Sequence, residues 1–134
     1  MDKEQILEVI ENGETQEVEL KQSFHSSQDF SKLMCGFANT YGGMVIVGVG
    51  AKKEIIGVKE DIDQLQQKIS AAAQAISPPI VPEIQVYTIE GKKIIAVIIH
   101  KAIDNTFHTF QGVVYIKVGS TLKKIEGNQL VEFL

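Results

Sequence analysis

Glu14, Glu17, Glu19 and Lys21 place three carboxylates and an ammonium within eight residues. On an extended strand Glu17, Glu19 and Lys21 share one face, and Glu14 can reach it from the preceding turn. Two carboxylates converging beside a lysine have the chemistry to hold a divalent cation and to contact a scissile phosphate. Solvated acids on an edge strand are the plainer reading of the same residues. Further on, Gly119-Ser120-Thr121 precedes Lys123-Lys124. Backbone amides, two hydroxyls and two ammonium groups make that stretch an anion-attracting surface; a solvated helix entrance is the alternative. Asn39 and Thr40, ahead of Tyr41-Gly42-Gly43, can satisfy the last carbonyls of a helix or hold a phosphate.

Other chemistries drop out. Gly43-x4-Gly48 has the outer spacing of a phosphate loop, but Val49 stands where lysine is required. Gly48-x-Gly50 lacks the third glycine of a dinucleotide turn. His25, His100 and His108 show no paired ligand spacing, so no zinc site is expected. The single cysteine, Cys35, excludes an internal disulfide and reads as a packing residue. Phe24, Phe107, Phe110 and Tyr115 have rings that can stack on bases. Core packing suits most of them, with Phe107 and Phe110, in a polar stretch near lysines, set apart as candidates.

The chain has 134 residues, 44% hydrophobic and 22% charged, which makes one ordinary globular domain over residues 1–134. No apolar run approaches the ~18–20 residues of a membrane span, and the acidic first residues lack an apolar signal region. A cytoplasmic protein is the expectation. The net charge of −4 argues against a generally basic nucleic-acid binder. By region the balance differs. Residues 1–67 carry six lysines against twelve acids, whereas residues 92–124 carry six lysines against Asp104 alone. All thirteen cationic residues are lysine. Without arginine's planar fork, recognition of backbone and shape is favoured over base reading.

The elements that must position these groups follow from periodicity. Ile6, Leu7, Val9 and Ile10 predict a first helix ending at Asn12-Gly13. Glu17–Lys21 alternates as a short strand. Ser26 and Ser27 open a helix with Phe30, Leu33, Met34, Phe37, Ala38 and Tyr41 on one stripe, and Gly42-Gly43 ends it. Met44–Val49 reads as a central strand, and Glu54–Val58 as a second short one after a turn. Asp61 opens a helix stopped by Ser77-Pro78-Pro79. Pro82–Ile89 and Lys92–His100 form a hairpin at Glu90-Gly91; Gly112–Val118 is a further strand, and a last helix starts near Asn128. The class is α+β: a mixed, mainly antiparallel sheet with helices packed against it. The abrupt end at Leu134 leads us to expect the N-terminal part of a longer protein.

Taken in order, several segments resemble the Schlafen AlbA-like domain family. They are Glu14-Thr-Gln-Glu-Val-Glu19-Leu-Lys21, Phe37-Ala-Asn-Thr-Tyr-Gly-Gly43, Val45-Ile-Val-Gly-Val49, Ile56-Gly-Val58 and Tyr115-Ile-Lys-Val-Gly-Ser-Thr121. The resemblance spans about residues 8–126. It implies an α+β nucleic-acid-binding domain, often found at the front of bacterial and archaeal transcriptional-regulator-like proteins. It also implies, as in Schlafen ribonucleases, a Mg²⁺ or Mn²⁺ site on Glu14 and Glu19 with Lys21 beside them. The family's third acid falls on Gly50 or Ala51, which cannot bind metal, and Glu54 reaches that place only if the turn folds back. Lys117 replaces the family's usual arginine. The primary expectation is therefore a DNA- or RNA-binding module contacting phosphates through Lys92, Lys93, Lys117, Ser120, Thr121, Lys123 and Lys124. A divalent-metal nuclease using Glu14, Glu19 and Lys21 is the first alternative. A protein-interaction or homodimerisation domain is the second.

Overall fold

The computed structural model describes residues 1–126. They run α1 (Lys3–Asn12), β1 (Val18–Lys21), α2 (Ser27–Ala38), β2 (Gly43–Val47), α3 (Ile62–Gln74), β3 (Glu83–Ile89), β4 (Lys92–Ile99), β5 (Val114–Val118) and β6 (Thr121–Ile125). The first four strands in sequence make one sheet in the order β1-β2-β4-β3, with β1 parallel to β2 and the other pairs antiparallel. β5 and β6 form a separate antiparallel hairpin. The class is the α+β expected from the sequence. Among the described residues no helix is long and apolar enough to cross a membrane.

β2 and β4 are apolar at nearly every position because both of their faces are covered. Val45, Val47, Ile95, Val97 and Ile99 point into a core with α2 and α3, built on Phe30, Met34, Phe37, Leu65 and Ile69. Ile46, Ile94 and Ala96, the alternate residues, point into a second core with Ile6 and Ile10 of α1. Each helix starts on a side-chain cap. Asp2 and Gln5 form a reciprocal box on α1, Ser26 accepts from Asp29 N at 3.2 Å, and Asp61 accepts from Gln64 N at 3.1 Å. The Gly42-Gly43 stop is obligatory. Gly42 has φ +75°, and a Cβ there would fall 2.8 Å from Ile99 O.

Two expectations change. Glu54–Val58 is not a strand: Ile56 N and Gly57 N both donate to Gly48 O, and only an isolated Val49–Ile55 bridge remains. That curl consumes the groups a ladder would use. Thr121–Ile125 is a strand rather than a helix entrance, and Gly119-Ser120 is its tight turn. The helix expected from Asn128 lies outside the described residues. The β5–β6 hairpin lies across α2, where Gly36 makes room for it; a Cβ at that position would collide with Leu122 Cδ1.

Candidate functional site

Glu14 and Glu19 come together. The turn before β1 brings Glu14 back so that its Oε2 accepts from Leu20 N at 3.1 Å, which sets its carboxyl beside that of Glu19. Lys117 closes the group from the other side, with Nζ 3.3 Å from Glu19 Oε1 and 5.2 Å from the centre of the Phe37 ring. Lys21 Nζ stands 3.8 Å from Glu19 Oε2. Glu17 stays exposed.

The Lys117 side chain, expected to contact phosphate, is only 1% exposed, and its ammonium pairs with Glu19. Its backbone is fixed on both sides. Lys117 N donates to Thr40 Oγ1 at 2.9 Å, and Gln16 Nε2 donates to Lys117 O at 2.8 Å. The Gln16 carbonyl also accepts from Gly119 N, tying the β5–β6 turn to the start of β1. Asn39 and Thr40 thus act structurally, though not by capping alone. Thr40 Oγ1 donates to Gly36 O at 2.7 Å, and Asn39 Nδ2 donates to His108 O at 2.8 Å and Tyr115 O at 2.9 Å.

Burial, and then the Glu14 carboxylate, push the Glu19 carboxyl above its usual value of 4.5, against the pull of Lys117. The folded protein therefore holds this proton more tightly than the unfolded chain does. Its contribution favours folding at low pH and is lost as pH rises from 4.5 through the raised folded value. The expected outcome is that the stability of wild type relative to Glu19→Gln falls across that window, by at most about 1.4 kcal/mol per pH unit for one proton. Denaturant titrations from about pH 4 to about pH 7 measure it. A constant difference would contradict the burial argument.

A cleft of about 200 Å³ opens beside Glu19, lined by Lys21, Asp29, Lys32, Leu33, Lys117, Ser120 and Leu122 as well as Glu19 itself. Lys32 was not anticipated. It lies on the polar side of α2 with Nζ 6.0 Å from the centre of the Tyr115 ring, and it shares the cleft with Lys21 although the two are separated in sequence. No local pattern in the sequence announces it.

On the other side of Glu14 a second cleft is bordered by Lys21, Ala51 and Lys53. Glu54 does fold back: its Oε1 occupies the place where a Gly50 Cβ would stand, and it accepts from Lys52 N at 3.2 Å. It still does not complete a metal site. Among the described residues no three of His, Cys, Asp and Glu gather as ligands. Glu19 already faces an ammonium, so the donors present do not fit a resident Mg²⁺ or Mn²⁺.

The remaining lysines are spread over other surfaces. Lys92 and Lys93 border a separate cleft with Gly91 and the segment 56–63, and Lys92 Nζ donates to Ile55 O at 3.2 Å. Lys123 and Lys124 are exposed on β6, where strand alternation sends them to opposite faces; Lys124 pairs with Glu126 at 3.4 Å. Ser120 and Thr121 are exposed at the turn, and Ser120 lines the Glu19 cleft. Phe110 is 4% exposed and belongs to the core, which removes it as a stacking platform; Phe107 is half-buried.

No curated protein matches the chain. Several solved structures share its fold, among them two from bacteria. The DIP2311 protein from Corynebacterium diphtheriae superposes with a TM-score of 0.62 at 21% identity, over 82% of this chain and 25% of that one. The N-terminal domain of an ATP-dependent DNA helicase RecG-related protein from Nitrosomonas europaea gives a TM-score of 0.62 at 19% identity, over 92% of this chain and 93% of that one. The chain thus spans a quarter of the Corynebacterium protein's length. The family described as Schlafen, AlbA_2 matches residues 14–126, from the first acid of the Glu14–Glu19 pair to the end of the hairpin that buries Lys117. With that match over most of its length, the chain belongs to the Schlafen AlbA_2 family.

Proposed function

We propose that this domain binds nucleic acid by its sugar-phosphate backbone, at the cleft between the end of β1, the first turns of α2 and the β5–β6 turn. One observation carries the reading. In a protein of net charge −4, the cleft is lined by three lysines, Lys21, Lys32 and Lys117, against two acids, Glu19 and Asp29. Lys117 answers Glu19 from within the core, while Lys21, 3.8 Å from the other Glu19 oxygen, and Lys32 stand at the rim with the Ser120 hydroxyl to meet a phosphate. Lys92, Lys93, Lys123 and Lys124 are outer contacts that a longer strand or duplex reaches. Base reading is minor, because no arginine is present. The Nitrosomonas neighbour's name, a DNA helicase RecG-related protein, accords with a nucleic-acid partner. A place in a transcriptional-regulator-like protein is part of the same proposal.

Anisotropy titrations of labelled structured RNA and duplex DNA test it. Affinity should fall steeply between ~50 and ~200 mM salt as counterions are released. Lys32→Ala should weaken binding about 3–10-fold and lower the salt slope by about one. Equal affinity at both salt concentrations, or an unchanged slope in the variant, would contradict the reading.

A further inference from the structure

The four-stranded sheet has two outer edges, and they are treated differently. β1 is four residues long, and Glu14 occupies its Leu20 amide. β3 is seven residues long, and among the described residues no strand lies beyond it. Exposed edges are usually defended by lysine, proline or a bulge. β3 reads Glu-Ile-Gln-Val-Tyr-Thr-Ile, carries one charge at its first position, and pairs with β4 in unbroken register from Glu83↔Ile98 to Ile89↔Lys92.

The hairpin fixes which groups face outward. Ile89 and Lys92 flank the two-residue turn Glu90-Gly91, whose φ values of 51° and 78° are both positive, so they form a hydrogen-bonded pair. Bonding alternates from there. Glu83, Gln85, Tyr87 and Ile89 direct their main-chain groups at β4; Ile84, Val86 and Thr88 direct theirs away. Lys93, opposite Thr88, confirms the alternation: its carbonyl accepts from Val58 N at 2.8 Å on the far side of β4.

We propose that this edge pairs with the same edge of a second copy, antiparallel about a two-fold axis through Val86. The outward residues are symmetric about Val86, so that axis sets Ile84 against the partner's Thr88 and Val86 against the partner's Val86, satisfying every outward donor and acceptor of the three. Val86, 39% exposed, is covered on the axis. Gln85 and Tyr87, hydrogen-bonded to each other within one strand, each meet the other type across the interface. The two Glu83 carboxylates stand about 20 Å apart along the strands, beyond the ~8 Å screening length of physiological salt. The α3 surface beside this edge is also poor in charge: Gln66, Gln67, Ser70, Ala71 and Gln74 line the groove next to Ile84, with Asp63 at its end. One consequence rests on the nucleic-acid reading. Seven strand spacings of ~4.8 Å would separate the two β1 strands by roughly 34 Å, the rise of one duplex turn.

The test reads oligomeric state and needs no nucleic acid, so its failure is separate from that of the binding proposal. Sedimentation of the wild-type chain should show a monomer–dimer equilibrium that moves toward dimer as concentration rises. Val86→Lys, which sets two ammonium groups face to face on the axis, should leave a monomer with an unchanged circular-dichroism spectrum. Val86→Cys should cross-link to its copy on oxidation, because paired Cα atoms ~5.5 Å apart lie within disulfide range. Glu83→Cys, far from the axis, should not; Cys35 is buried and adds no cross-link of its own. A wild type that stays monomeric at ~100 µM, a dimer indifferent to Val86→Lys, or a folded Val86→Cys protein that never cross-links would each overturn the proposal.

Discussion

Glu19→Ala is expected to destabilise the domain by about 3–5 kcal/mol, the cost of stranding a buried charge. The side chain left behind is Lys117, 1% exposed, whose ammonium has Glu19 at 3.3 Å and the Phe37 ring as its neighbours. Lys117→Met should cost less, although it breaks the same ion pair. Its chain still packs on Phe37, and Glu19, 16% exposed, keeps contact with solvent and with the Lys21 ammonium. The Glu19→Leu, Lys117→Met double variant should be more stable than Glu19→Ala alone, since neither charge remains to be desolvated. Urea unfolding of the four proteins at neutral pH measures the set. If Lys117→Met proved the more damaging single change, the assignment of Lys117 as the dependent partner would be wrong.

The second large effect is expected at Asn39. Its side chain makes three hydrogen bonds to a distant part of the chain: Nδ2 to His108 O at 2.8 Å and Tyr115 O at 2.9 Å, and Oδ1 from His108 N at 2.7 Å. Asn39→Ala leaves those half-buried backbone groups without partners, which should cost about 2–4 kcal/mol and lower the melting midpoint by about 10 °C. A second readout localises the damage. Cys35 is buried, its Sγ lies 3.3 Å from His108 O, and burial pushes the thiol up to about 11. Once the segment around His108 is released, thiol labelling in native buffer should speed up at least about tenfold. An unchanged melt with a still-silent Cys35 would show that the hairpin is held by other contacts.

The four-stranded sheet and its helices were legible because their patterns are local. The stripe from Phe30 to Ala38, the cap at Ser26, the Gly42-Gly43 stop and the two-residue turn at Glu90-Gly91 are each written within a dozen residues. The carboxylate half of the site was legible for the same reason, since Glu14 and Glu19 share one turn and strand. Its cationic half was not. Lys117 reaches Glu19, and Lys32 borders the same cleft, only because α2 and β5 pack together through Gly36, Asn39 and Thr40, a relation with no periodicity to reveal it. Gly36, a glycine inside an otherwise strong helix pattern, was the one trace of that close approach. β6 was missed because Thr-Leu-Lys-Lys-Ile alternates poorly, its neighbouring lysines falling on opposite faces of the hairpin.

The most direct test incubates labelled structured RNA and duplex DNA with the purified domain, in Mn²⁺ and in EDTA, and resolves each mixture on native and denaturing gels. The account predicts a salt-sensitive shift of equal strength in Mn²⁺ and in EDTA, with the nucleic acid intact, because phosphates meet Lys21 and Lys32 directly and the acids present do not fit a divalent ion. Metal-dependent fragments that disappear in a Glu14→Ala, Glu19→Ala protein, or no shift at micromolar protein and low salt, would contradict it.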